Sequence, residues 1–346
     1  MKNNRRDFLR KLSVFSAGLT LSPVFAFTQN NSFSESVPLL PTIKPLRLKP
    51  GDKVAITSPA GALWDQGKTV NNFTRILNQF GFEVIHGNSL RQHHGYFSGT
   101  DEQRANELNS LFANKDIKGI FCAKGGWGCA RLLDKIDYSL IKNNPKVLIG
   151  FSDISVLLNS IFAKTGMITF HGPVGNSSWN EFTSDSFRSV VMNAEKVDFP
   201  KDTEAPVTLH AGVCKGQLAG GNLTVLCAII GSGFLPDFKN KILFLEEAHE
   251  EPYSIDRMLT QLKLAGVLEA VSGIVFGRCT SCEAEEPEKS FTLEEVLRQH
   301  FEPLGIPVML EAMTGHIESK WTLPVGAQAE LDTAACRLRL LESAVQ

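Results

Sequence analysis

Val147-Leu148-Ile149-Gly150-Phe151-Ser152-Asp153-Ile154 is the stretch on which the reading of this chain turns. An apolar run ends in Gly-x-Ser, and a helical pattern follows at once. That order describes a buried strand, a sharp turn and a helix, with the Ser152 hydroxyl held at the strand's end. Serine is a weak nucleophile by itself and needs a base and an oxyanion hole nearby. The plainer use of serine at such a place is a helix N-cap, and spacing alone does not choose between the two. An α/β-hydrolase elbow has a second glycine two residues after the serine. Ile154 stands there, which argues against that fold.

Outward from this turn, strands and helices alternate. Lys53–Thr57 is a short apolar strand, and Ser58 to Gly61 is a turn. A helical pattern carries Val70, Phe73, Ile76 and Leu77. Phe82–Ile85 is a second strand. Thr100 and Gln103 frame a capping box that opens a helix with Leu108, Leu111 and Phe112 on one face. Ile117–Ala123 is a buried strand running into Gly125-Gly126-Trp127-Gly128, followed by a helix through Leu132, Leu133 and Ile136. A helix over Asp153 to Lys164 and a strand Met167–Phe170, ending in His171, complete the first half. This alternation predicts a parallel sheet covered on both faces. Ligands then collect beyond the carboxyl ends of the strands. Ser58 to Gly61, Gly125 to Gly128 and Gly150 to Asp153 all end there. The second half mixes strands and helices less regularly and predicts a smaller α+β domain.

The ends of the chain carry other information. Asn4-Arg5-Arg6-Asp7-Phe8-Leu9-Arg10 resembles a twin-arginine export signal, and the apolar run Leu12 to Ala26 is too short for a spanning helix, which needs roughly 20 residues. The expectation is a leader over 1–26 cleaved after Ala26, a periplasmic protein, and no stable membrane span after cleavage. Residues 27–46 read as a linker, 47–175 as the N-terminal α/β domain, 176–206 as an inter-domain connection and 207–346 as the C-terminal domain. Removing the leader takes away five basic residues and one acidic residue, so a net charge of −2 becomes −6. With no Lys/Arg-rich block in the remainder, nucleic acid is not an expected partner. The seven cysteines include one CxxC, Cys279 and Cys282. A zinc ribbon needs a second such pair, so they read as small buried apolar residues.

Gly125 to Gly128 lets backbone N–H groups approach an oxyanion or a phosphate. A phosphate loop would want Lys-Ser/Thr after the glycines, where Cys129 and Ala130 stand. Glu246 ends the apolar strand Ile242–Leu245, where a carboxylate is costly unless paired. Pairing with an imidazole would orient a base. The bland alternative is solvation, because Glu247, Glu250 and Glu251 follow. His249 beside them hints weakly at a metal. Eight histidines compete for the base. His93 and His94 fall in a polar loop, His86 and His171 end strands, and His316 lies among small residues between two strands. Spacing does not choose among them.

Taken together, seven segments resemble the LD-carboxypeptidase family of serine peptidases. They are Lys124 to Leu133 (KGGWGCARLL), Ile149 to Ile154 (IGFSDI), His171 to Pro173, Gly220 to Leu223 (GGNL), Leu243 to Glu247 (LFLEE), Pro252 to Leu259 (PYSIDRML), and Gly315-His316 with Thr322 to Gly326 (TLPVG). The resemblance covers roughly residues 50–332. It implies Ser152 as nucleophile, His316 as general base and then acid, Glu246 as the group orienting His316, and an oxyanion hole from the backbone amides of Gly126 and Asp153. It implies a flavodoxin-like N-terminal α/β domain with a smaller C-terminal domain, no metal or other cofactor, a homodimer, and a murein peptide as substrate. The same family contains microcin C immunity peptidases acting on peptidyl nucleotides, which is the alternative. A non-catalytic murein-binding module is the third. The chain departs from the family pattern at Lys124, Trp127 and Ser254, where Arg, Tyr and Arg are usual.

Overall fold

The computed structural model describes residues 41–65, 67–199 and 206–346. The expected leader and most of the linker lie outside the described residues. Short β-rich apolar runs bounded by turn residues form the strands of the first sheet: β1 (Lys53–Thr57), β2 (Glu83–His86), β3 (Ile117–Cys122), β4 (Val147–Gly150) and β5 (Thr169–His171). They are parallel and ordered β2-β1-β3-β4-β5. That is the flavodoxin order, with its switch point between β1 and β3. β4 is central, and all four of its residues are buried.

The helices follow from local chemistry. Thr100 and Gln103 form the expected capping box of helix Asp101–Ala113. Helix Ser155–Thr165 has buried residues all round. A helix apolar on every side must be covered on every side, and this one lies between the two sheets of the fold. Asn159 bonds across to the second sheet in both senses, its Nδ2 donating to Gly220 O at 2.7 Å and its Oδ1 accepting from Gly220 N at 3.1 Å. The helix expected through Leu132, Leu133 and Ile136 is instead a short 3-10 turn, Cys129–Leu132, and the α-helix comes later at Tyr138–Asn143.

The second sheet is built from β6 (Val207–His210), β7 (Val213–Asn222), β8 (Ile242–Glu246), β9 (Gly273–Gly277), β10 (Val308–Ala312), β12 (Gln328–Asp332) and β13 (Arg337–Leu340), ordered β13-β12-β7-β8-β9-β10-β6. Its centre, β7 to β10, is parallel and its outer pairings are antiparallel. Strand alternation sends successive side chains to opposite faces. Ile242 and Phe244 of β8 enter the core shared with the first sheet, while Leu243 and Leu245 enter a second core with Leu259, Phe276 and Phe301. Glu246 continues the first of these series and therefore faces the first sheet.

Several boundaries shift. Ile43, expected in the linker, is already tied in by Ile43 N to Gly166 O (2.8 Å) and Ile168 N to Ile43 O (2.9 Å). β11 (Leu323–Val325), from the C-terminal half, pairs antiparallel with β5 and closes the edge of the first sheet. The expected connection 176–206 contains helix Glu181–Phe187, and Phe187 packs on Phe80 and Phe121 of the first lobe. The second sheet, in the half expected to be smaller, has seven strands against six in the first, one of which is β11.

Candidate active site

Ser152 follows β4 with φ = 62°, in the left-handed region that only glycine visits freely. Strain of about 1–3 kcal/mol at a non-glycine residue gathers at functional sites. Ser152 does not cap a helix. Phe151 holds the N-cap position of the following 3-10 turn without a side-chain bond, and Ile154 does the same for helix Ser155–Thr165. The Ser152 side chain lies instead against the glycine loop. A Cβ on Gly125 would fall 2.8 Å from Ser152 Cβ and 2.9 Å from its Oγ. Gly125→Ala leaves an allowed backbone but pushes Ser152 aside. We expect kcat/KM to fall at least 100-fold, because a displacement of about 1 Å at a reacting group costs that much, with a melting temperature close to wild type.

Asp153, whose amide is one oxyanion candidate, has a buried carboxylate as well. Its Oδ2 accepts the N–H of Cys129 at 2.8 Å, which locks the serine turn to the glycine loop. Burial raises its pKa against that hydrogen bond. Gly126, the other candidate, follows Gly125 with φ = 121°, so both amides belong to the two loops that Asp153 ties together.

Glu246 is fully buried. Its Oε2 lies 2.8 Å from His316 Nδ1 and its Oε1 lies 3.9 Å from His171 Nε2. The second contact is too long for a hydrogen bond. Burial by itself would raise the Glu246 pKa; the two facing imidazoles outweigh burial and hold it at about 2. For His316, burial disfavours the charge, but the hydrogen bond and charge of Glu246 favour it more. The result is a pKa above the ordinary 6.5. Gly315 makes the approach possible: its φ is +115°, and a Cβ there would meet Glu246 Oε2 at 3.0 Å. Thr280 Oγ1 donates to His316 O at 3.0 Å and fixes the loop. The His316 ring packs on Phe151, the neighbour of Ser152, with centroids 4.8 Å apart. His316, held by Glu246 in the second half of the chain, thus packs on the residue before Ser152 in the first.

The structure also separates the other candidates. His300 pairs with Asp256 at 2.7 Å, His86 bonds Thr74 and His93 bonds Leu63 O. His249 is exposed. Among the described residues no three His, Cys, Asp or Glu side chains are grouped as a metal would need. The neighbouring Cys279 and Cys282 thiols act on each other, which pushes Cys279 up and Cys282 down. Glu247 is buried, not solvated: it accepts from Asn222 Nδ2, Thr224 N, Thr224 Oγ1 and Ala248 N. His171, which the sequence offered as one of the competing histidines at a strand end, is the second imidazole facing Glu246. One group escaped the sequence reading. Lys320 is a buried ammonium with Nζ 4.8 Å from the Phe151 ring centroid. Burial lowers its pKa to about 8, against the opposing charge of Glu246. No helix among the described residues is long and apolar enough to cross a membrane.

A serine on a strained turn after a parallel strand, next to a phenylalanine that packs on a half-buried imidazole held by a buried carboxylate, fits the class of α/β serine hydrolases. Residues 54–172 match the LD-carboxypeptidase N-terminal domain and residues 215–331 the LD-carboxypeptidase C-terminal domain. The chain is 35% identical over 296 residues to the probable murein peptide carboxypeptidase of Bacillus subtilis (84% of this chain, 92% of that one). It is 32% identical over 291 residues to the murein tetrapeptide carboxypeptidase of Pseudomonas aeruginosa (81% and 93%). The solved structure of the microcin C7 self-immunity protein MccF with aspartyl sulfamoyl adenosine superposes with a TM-score of 0.81 at 27% identity, covering 88% of this chain and all of that one. The chain belongs to the LD-carboxypeptidase family and is a serine carboxypeptidase.

Proposed function

We propose that this enzyme removes the terminal D-Ala of murein tetrapeptides by a Ser152–His316–Glu246 triad. The observation that carries the reading is the 2.8 Å contact between His316 Nδ1 and a fully buried Glu246 carboxylate. An ionised acceptor requires the proton on Nδ1 and leaves Nε2 as the base. In the proposed sequence Ser152 Oγ attacks the carbonyl of the L-centre of the diamino acid while His316 Nε2 takes its proton. The oxyanion is received by the Gly126 and Asp153 amides. Collapse breaks the peptide bond, and His316 gives the proton to the departing D-Ala amine. Water, deprotonated by His316, then cleaves the acyl ester and restores Ser152. Neither step calls on a metal. Glu246 stays ionised throughout, which its pKa of about 2 permits.

The leader-like N-terminus supports action in the periplasm, where murein lies. Incubation of the purified protein with a muropeptide tetrapeptide should release D-Ala, seen as the tripeptide by mass spectrometry, equally with and without EDTA. Absence of release, or its abolition by EDTA, overturns the reading. A second reading, hydrolysis of aminoacyl nucleotides, draws on the likeness to MccF with its aspartyl sulfamoyl adenosine. Turnover of that compound without muropeptide turnover would favour it.

A further inference from the structure

Lys320 lies four residues beyond His316 and is only 4% exposed. Its backbone is fixed from the first lobe. Lys320 N donates to Thr183 Oγ1 at 3.1 Å, Asn180 Nδ2 donates to Ser319 Oγ at 2.8 Å, and Thr322 N donates to Ser186 Oγ at 2.9 Å. Thus helix Glu181–Phe187 and its cap hold the segment that carries both His316 and Lys320. The ammonium itself has no hydrogen bond or ion pair among the described residues, and its one close partner is the Phe151 ring. Of the other cations near the glycine loop, Arg104 and Arg131 both pair with Asp101, at 2.6 and 2.7 Å, and Lys124 Nζ donates to Ala62 O at 3.5 Å.

Glu246, the opposing charge nearby, is already bonded to His316, and a buried ammonium that no carboxylate contacts is unfavourable, whereas a methionine would fill the same space without that penalty. The arrangement makes physical sense if the anion arrives with the ligand. Phe151 precedes Ser152, so the ammonium borders the nucleophile's turn. In a peptide cleaved at its last bond, the terminal carboxylate lies one residue, about 3.8 Å along the chain, beyond the attacked carbonyl. An ammonium also suits this task, because a point charge selects a carboxylate without demanding the planar geometry of a guanidinium.

We propose that Lys320 receives the free C-terminal carboxylate of the substrate and thereby restricts the enzyme to the last peptide bond. The inference rests on the carboxypeptidase reading above. It is tested with the full chain, murein tetrapeptide and the same peptide ending in D-alaninamide. Wild type should prefer the free acid by about 100-fold in kcat/KM, the loss typical of a missing charged hydrogen bond. Lys320→Met should lower kcat/KM for the acid by about 100-fold, chiefly through KM, and leave the amide unchanged, so that the preference disappears. Lys320→Arg should restore part of it. The melting temperature of Lys320→Met should equal or exceed that of wild type. Retention of the acid preference by Lys320→Met overturns the assignment. So does an equal loss on acid and amide, which would place Lys320 as a group tuning His316. A wild-type enzyme inactive on both peptides would instead refute the underlying reading, and this inference with it.

Discussion

Ser152→Ala should abolish peptide turnover, by roughly 10⁴- to 10⁶-fold in kcat, the range seen when a serine peptidase loses its nucleophile. The fold should not notice. The Ser152 side chain caps no helix, and among the described residues it makes no hydrogen bond that alanine would forfeit. Alanine also inherits the same strain at φ = 62°. Ser152→Gly makes the complementary case: equally inactive, yet more stable by about 1 kcal/mol, because glycine takes a positive φ without penalty. A melting curve for both variants beside a D-Ala release assay checks this. Residual activity above about a thousandth of wild type in Ser152→Ala would remove Ser152 from the nucleophile's role. Equal melting temperatures for the alanine and glycine variants would show that the turn is not strained.

The first sheet was legible because each of its strands is a short apolar run with a helix behind it, and such runs pair in parallel whatever their distant partners. The same locality explains β8, where alternation alone sends Glu246 to the face it shares with Ile242 and Phe244. What escaped depends on contacts remote in sequence. β11 is three residues long with Pro324 inside it, a pattern suited only to an edge, and nothing local says that the edge belongs to the other sheet. Ile43 looks like linker because its partners, Gly166 and Ile168, lie over a hundred residues away. Glu247 sits in an acidic run that reads as solvated, but Asn222 and Thr224 fold over it. Spacing left eight histidines open, and the family motif singled out His316. In the fold two imidazoles face Glu246, His316 at hydrogen-bond distance and His171 at 3.9 Å. Lys320 was invisible, since an isolated lysine in a polar stretch normally faces water.

Glu246→Gln should cost about 10⁴-fold in kcat and move the acid limb of the pH profile downward. The loss comes from the tautomer. A glutamine amide can donate to His316 Nδ1, which places the ring proton on Nε2 and leaves no base facing Ser152. The pH shift comes from the charge. A general base works while neutral, so kcat/KM falls as pH drops through the His316 pKa. In wild type, Glu246 holds that pKa above 6.5, and the acid limb should lie there. With a neutral partner, burial is the largest influence left and favours the uncharged ring, with Glu247 and Lys320 opposing each other, so the limb of the residual activity should fall below 6.5. Folding stability carries the matching signature. The Glu246 pKa is depressed from 4.5 to about 2 in the fold. Its contribution is therefore complete above about pH 4.5 and is lost as pH falls through about 2. Urea unfolding of wild type and Glu246→Gln across pH 2 to 5 should show the two curves converging at the acid end. Parallel curves, or an acid limb unmoved by the substitution, would mean that Glu246 does not set the charge of His316.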